Sequence, residues 1–242
     1  MSSFVIKLIA ICSMFCDHAG DSLIGHFTFL NVIGRIAFPL FAFQIVIGFV
    51  NTSNIKKYLS RMFVFAIISQ IPYQIFITGY TGEKFNLNVF FTLACGLISL
   101  IIVNKQIIQN KFGDTFIKII FIGLICTLAQ ITKCDYGAIG ILTILLIYFT
   151  YPYDFKKEND KINYQKLVLL ILGAIVLCMI NYRKIIAMGV LKITTEVIVA
   201  AVLPIIFMLA YNGKKGKSLK YFFYAFYPVH LIILDIIHYF LS

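Results

Sequence analysis

The 242-residue chain is 61% hydrophobic and 13% charged, with 24 Phe, 14 Tyr and a mean hydropathy of +0.94, whereas soluble domains run near half apolar and a quarter charged. That excludes an ordinary soluble domain, and the formal charge of +11 is read loop by loop against a bilayer, with no nucleic-acid partner. The composition specifies an all-α polytopic membrane bundle forming one domain over residues 1–242.

Nine apolar stretches, of about the ~20 residues a span needs, follow in order at residues 4–24, 27–50, 59–78, 87–103, 116–132, 136–151, 166–181, 193–211 and 221–241. The first, MSSFVIKLIAICSMFC, lacks a basic head and a small-residue cleavage signature, so it reads as a retained helix. It carries Asp17 and His18. A charged group at mid-span costs about 2.5–3.5 kcal/mol on insertion scales, so it faces a partner or a wet interior. At a rise of ~1.5 Å per residue, Asp17 and His18 lie in the outer half of the bilayer.

The second stretch contains NVIGRIAFPLFAFQ. Pro39 has no N–H for the carbonyl of Arg35, which predicts a kink beside a charged side chain. Counted back from the polar break at 21–28, Arg35 also falls in the outer half. Adjacent helical residues diverge by about 100°, so the expectation is that Asp17 pairs with Arg35 while His18 points into a cavity. The simpler alternative is an ion pair that only locks the helix hairpin.

Further along, Pro72 is flanked by Gln70 and Gln74, and Pro228 precedes His230 by two residues. Polar groups beside prolines suit irregular backbone around an interior cavity. Tyr227 lies one turn before His230, and Asp235 with His238 forms an i, i+3 pair near the outer end. Asn86 and Asn88, Asp135 and Tyr136, and Glu196 stand at outer helix ends, where capping explains them as well as a substrate mouth does. RKIIAMGVLK, within 181–211, reads as re-entrant or interfacial. Six cysteines without a CxxC pair act as small hydrophobes, and no metal site is expected.

Lysines and arginines crowd alternate loops, at Lys56, Lys57 and Arg61, Lys105, Lys111 and Lys118, Lys156, Lys157, Lys161 and Lys166, and Lys214, Lys215, Lys217 and Lys220, while the other loops hold only Lys84, Lys133, Arg183, Lys184 and Lys192. The positive-inside rule then places the N-terminus in the cytoplasm and the C-terminus outside. The plain reading of these clusters is topology signalling.

An imidazole, with its pKa near neutrality, takes a proton from an attacking amine or hydroxyl and returns one to a leaving group, while a guanidinium stabilises an oxyanion or a phosphate. Proton-coupled transport uses the same residue types. The residues alone therefore leave a membrane enzyme or a transporter. A transporter built on inverted repeats predicts paired broken helices, and the prolines at 39, 72, 204 and 228 show no paired motif.

KLIAICSMFCDHAG, GRIAFPLFAFQ, RMFVFAIISQIPYQ, NVFFTLACG, DYGAIGIL and FYPVHLIIL, in this order along nearly the whole chain, resemble the TraX family, whose named member is the F-pilin acetylase. The resemblance implies a multi-pass transferase of the plasma (inner) membrane that moves an acetyl group from acetyl-CoA to a peptide amine, such as a pilin N-terminus, or to a glycan hydroxyl. On that reading His18 is the general base, Asp17 holds Arg35, Arg35 stabilises the oxyanion or a CoA phosphate, and His230 is the rival base or a second relay. Gln70, Asn88, Tyr136 and Tyr227 line the substrate cavity, and the basic loops attract the CoA phosphate. A non-enzymatic pilus-assembly factor is the remaining class.

Overall fold

The computed structural model describes residues 1–24, 29–152, 162–181 and 198–241. Sequence expectations at Lys156, Lys157, Lys161, Arg183, Lys184, Lys192 and Glu196, and for RKIIAMGVLK, lie outside the described residues.

The chain is an all-α bundle with no strand among the described residues. Helix α1 (Ser3–Ala19) starts at Ser2, whose side chain accepts from the Val5 amide, and runs into a π-helical turn, Gly20–Ile24. Then come α2 (Phe29–Gly34), α3 (Ala37–Asn51) and α4 (Ile55–Thr81), the last closed by Gly82 at φ 72°; that left-handed geometry carries little strain in glycine. Asn54, Asn88 and Asn110 cap α4, α5 (Val89–Asn104) and α6 (Lys111–Ile131), each accepting a first-turn amide. The remaining helices are α7 (Gly137–Thr150), α8 (Tyr164–Asn181), α9 (Leu203–Leu209), entered through a π turn at Ile198–Val202, and α10 (Lys220–Leu241).

Five segments are long and apolar enough to cross a membrane: Ser3–Ile24, Phe29–Asn51, Ile55–Gly79, Lys111–Ile131 and Tyr221–Leu241. Four shorter apolar helices, Val89–Asn104, Gly137–Thr150, Tyr164–Ile180 and Val199–Leu209, fall on the other expected stretches. The protein is a membrane protein of helical-bundle type. Its apolar surface is the reason: Phe112, Leu124, Leu128 and Ile131 of α6 and Val168, Leu172 and Val176 of α8 stand exposed, as a lipid-facing helix requires.

α3 is central, with Leu40, Ala42, Phe43 and Val46 fully buried. The second expected span is broken rather than merely kinked. Between α2 and α3, Arg35 and Ile36 form a turn, because Pro39 cannot donate to the Arg35 carbonyl and the next bond, Leu40 N–H to Ile36 C=O, is long at 3.4 Å. The Arg35 amide still reaches the Asn31 carbonyl at 3.2 Å, so the chain direction is kept while the ladder is interrupted.

The end of the bundle where α1, α4 and α10 begin gathers Lys56, Lys57, Arg61, Lys214, Lys215 and Lys217. The opposite end holds Lys84 and Lys133 among the described residues. Backbone bonds from Ser3 N–H to Lys214 C=O and from Phe4 N–H to Lys215 C=O tie α1 to the loop before α10.

Candidate functional site

Asp17 and His18 leave α1 towards different neighbours, as a 100° step demands. Asp17 turns to the α2–α3 break. Its carboxylate is 3.9 Å from the Arg35 guanidinium, and the Asn31 side chain donates to the Asp17 carbonyl, to its carboxylate at 3.2 Å and to Asp21 at 2.6 Å. Asn31 precedes Arg35 by four residues, so both occupy one helical face. A methyl group at Gly34 would land on the Asp17 side chain. Glycine there lets α1 and α2 approach closely enough for the pair to form.

His18 turns to α4 and α10. It does not border the hollow beside Arg35 described below; its ring is held by a second histidine. Its Nδ1 lies 2.7 Å from Nε2 of His230, with the two rings within 4° of parallel and their centroids 5.0 Å apart, an edge-to-edge, coplanar hydrogen bond. Phe76 of α4 lies 5.2 Å and Tyr227 6.4 Å from the His18 ring.

The far nitrogen of His230 settles which ring nitrogen carries each proton. Nδ1 of His230 is 2.8 Å from the Phe226 carbonyl, which can only accept, so Nδ1 donates. In the neutral pair Nε2 of His230 must then accept from Nδ1–H of His18, leaving Nε2 of His18 as the bare, basic nitrogen. Phe226 stacks on His230 at 4.9 Å and 15°. His230 is 2% exposed.

Tyr227 is buried beside this pair. Its hydroxyl lies near the Val89 amide but makes no hydrogen bond of good geometry among the described residues.

Asp135 and Tyr136 come from the loop between α6 and α7. That loop is pinned by the bonds Leu87 N–H to Lys133 C=O and Asp135 N–H to Leu87 C=O, and by the Thr92 hydroxyl on the Asp135 carbonyl. Tyr136 sits at φ 62° with its ring stacked on Phe38 at 3.8 Å. A bulky residue held there is an outlier of the kind found at functional sites. Asp135 lies within electrostatic reach of Asp17, Arg35 and Tyr227. Burial, and then the Asp17 carboxylate, push its carboxyl up to about 7.

A cavity of about 80 Å³ opens beside Arg35, Tyr136, Pro39, Leu170, Ala201 and Met208. Neither histidine lines it. Arg35 and Tyr136 therefore face one hollow while the histidines form a second polar centre across α1.

Gln70 and Asn88 lie elsewhere, locked together. The Asn88 side chain donates to the Ala66 carbonyl and to Gln70, accepts the Phe90 amide, and is fully buried; Gln70 also donates to the Asn86 carbonyl. They join the start of α5 to the Pro72 region of α4. Asn31 and Asp135 were not singled out from sequence as site members; the i, i+4 spacing of Asn31 with Arg35 was the available signal for one of them.

A family model described as TraX protein matches residues 2–238. The chain belongs to the TraX family. It is 30% identical over 246 aligned positions to the "Probable fimbrial assembly protein FimC, serogroup H1" of Dichelobacter nodosus, covering 96% of this chain and 94% of that relative. No solved structure matches it. The TraX-like blocks carry both polar centres: Asp17 and His18 in the first, Arg35 in the second, Asp135 and Tyr136 in the fifth, and Tyr227 and His230 in the last.

Proposed function

We propose that this TraX-family protein is an acetyl-CoA-dependent acetyltransferase of the plasma (inner) membrane, with its N-terminus in the cytoplasm, acting on the amino terminus of a fimbrial or pilin-like subunit. The observation that carries the reading is the His18–His230 pair, whose hydrogen bonds leave Nε2 of His18 unprotonated. The family and the name of the Dichelobacter relative support the acceptor class. A glycan hydroxyl is the same chemistry with an oxygen nucleophile.

Nε2 of His18 takes a proton from the acceptor amine as its nitrogen attacks the thioester carbonyl. The carbon–sulfur bond then breaks, and the imidazolium gives that proton to the departing thiolate, so an amide and free CoA thiol result. His230 accepts from Nδ1–H of His18 throughout and stabilises the transient imidazolium. It thus takes the part of an orienting partner rather than of a rival base. General-base catalysis of this kind contributes about 10²–10⁴-fold.

Arg35 reaches a different side of α1 from the His18 imidazole, so we assign Asp17 and Arg35 to positioning: they fix the rotation of α1 that aims His18 at α10. The thioester enters between α4 and α10, at Phe76 and Tyr227.

The test is mass spectrometry of the envelope fraction from cells with and without an intact copy. An acetyl-sized mass difference on a fimbrial subunit or glycan is expected. Loss of fimbriae with no acetylated species in either sample would instead favour the second reading, a non-enzymatic assembly factor, to which the relative's name lends weight.

A further inference from the structure

His230 is buried and His18 half-buried between α1, α4 and α10, which leaves open how a donor made in the cytoplasm reaches the pair. At the basic end of the bundle, an open pocket of about 420 Å³ is lined by Lys56, Lys57, Ser60, Arg61 and Tyr221. Lys56 and Lys57 stand in the first turn of α4, which holds no acidic residue. Cations there oppose the helix dipole, and a bound anion would relieve the conflict. Among the described residues no carboxylate lies within ion-pair distance of these three cations. Arg61 rests 6.0 Å from the Tyr58 ring, and its buried Nε has no hydrogen-bond partner among the described residues.

A second, independent feature starts at the same place. Tyr221, Tyr224, Tyr227 and His230 recur at i+3 along α10 and form a ridge that winds around the helix by about 60° a step, from the open side at Tyr221 to the packed side at His230. Tyr221 is 61% exposed in the pocket, whereas Tyr227 is 3% and His230 2% exposed. Arg61 interacts with the Tyr224 hydroxyl, and the Tyr224 ring stacks on Phe65 of α4 at 4.8 Å. From Tyr221 to His230 the helix rises about 14 Å, and from Arg61 to Phe76, which touches His18, about 22 Å. An extended phosphopantetheine arm spans distances of that order.

We infer that the Lys56–Lys57–Arg61 pocket binds the phosphates of the nucleotide end of the acyl donor, with the winding tyrosine ridge of α10 leading its thioester arm inward to the histidines. This rests on the acetyl-transfer reading. Tyr221 offers the purine a stacking face, which a lipid phosphate would not use.

The test uses the full chain in nanodiscs of neutral phosphatidylcholine, with radiolabelled acetyl-CoA and 3′-dephospho-CoA as probes. Unmodified protein is expected to bind acetyl-CoA more tightly than dephospho-CoA and less tightly as salt rises. Lys57→Gln with Arg61→Gln should weaken acetyl-CoA binding by roughly tenfold or more and narrow the gap between the probes. The exposed pair Lys56→Gln with Lys57→Gln, which leaves the half-buried Arg61 in place, should move both in the same direction.

Undiminished binding by both double variants would overturn the pocket and leave the transferase reading standing. No acetyl-CoA binding by unmodified protein would instead remove the transferase reading itself. If the variants lost co-purifying phosphatidylglycerol while binding acetyl-CoA normally, the occupant would be a lipid headgroup and the inference would fail.

Discussion

Nε2 of His230 sits 2.7 Å from Nδ1 of His18 while the other nitrogen of His230 is held by the Phe226 carbonyl. A backbone acceptor thus fixes the proton positions on two side chains 212 residues apart in sequence. The arrangement predicts that nitrogen-15 spectra of histidine-labelled protein show His18 protonated at Nδ1 and bare at Nε2. The reverse tautomer would remove the base assigned here.

The same geometry separates two substitutions at one position. His230→Gln keeps an acceptor near Nδ1 of His18, whereas His230→Leu removes it and leaves a buried donor unsatisfied, at a cost of about 1–3 kcal/mol. Acetyl transfer by His230→Gln should therefore exceed that of His230→Leu at equal folded fraction, measured by product mass spectrometry. Equal rates would assign His230 a packing role only.

Gly34→Ala should lower stability by about 1–3 kcal/mol, because the new methyl group meets the Asp17 side chain. Gly79, also helical, has nothing within 4 Å of such a methyl group, and Gly79→Ala should be neutral or stabilising by up to ~1 kcal/mol. Thermal unfolding of both variants in detergent compares them. Similar losses at the two sites would show that the α1–α2 approach is looser than described.

Asp135 gives the protein a pH dependence of known sign. Its folded pKa, about 7, lies above the ordinary 3.8, so between these values the folded state holds the extra proton and stability falls as pH rises. The loss is complete above about 7. Unfolding temperatures of the unmodified protein should drop between pH 5 and pH 8 relative to those of Asp135→Asn. Parallel curves would place Asp135 in contact with solvent or with a cation.

Asn88→Ala removes a helix cap and two buried donor bonds, which predicts a loss of about 1–3 kcal/mol. If its role is to join α4 to α5, KM for the acceptor stays within about twofold at temperatures where the variant is folded. A large rise in KM without loss of stability would return Asn88 to the substrate cavity.

The positions of the spans were legible because lipid imposes length and apolarity on each crossing, so runs of apolar residues located the stretches on which the described helices lie, the second of them divided at Arg35 and Ile36. The Asp17–Arg35 approach was also readable, since matching depths on consecutive spans and a prescribed 100° divergence left few partners. What lay hidden depended on the packing of distant segments. Nothing local to SMFCDHAG shows that α10 packs against α1, so the partner of His18 is not readable from the sequence. Asn88 caps α5, one of the two roles its place at a helix end allows, and with Gln70 it satisfies neighbouring backbone groups, a pairing that no local pattern announces. Asp135 looked like a cap until the loop carrying it proved to be tied to Leu87 and Thr92.

The most direct measurement follows labelled acetyl transfer from acetyl-CoA to a fimbrial-subunit amino-terminal peptide by purified protein in vesicles, comparing unmodified chain with His18→Ala. The account predicts that both bind acetyl-CoA and that transfer by His18→Ala falls by about 10²–10⁴-fold. Transfer by His18→Ala at the unmodified rate would contradict it.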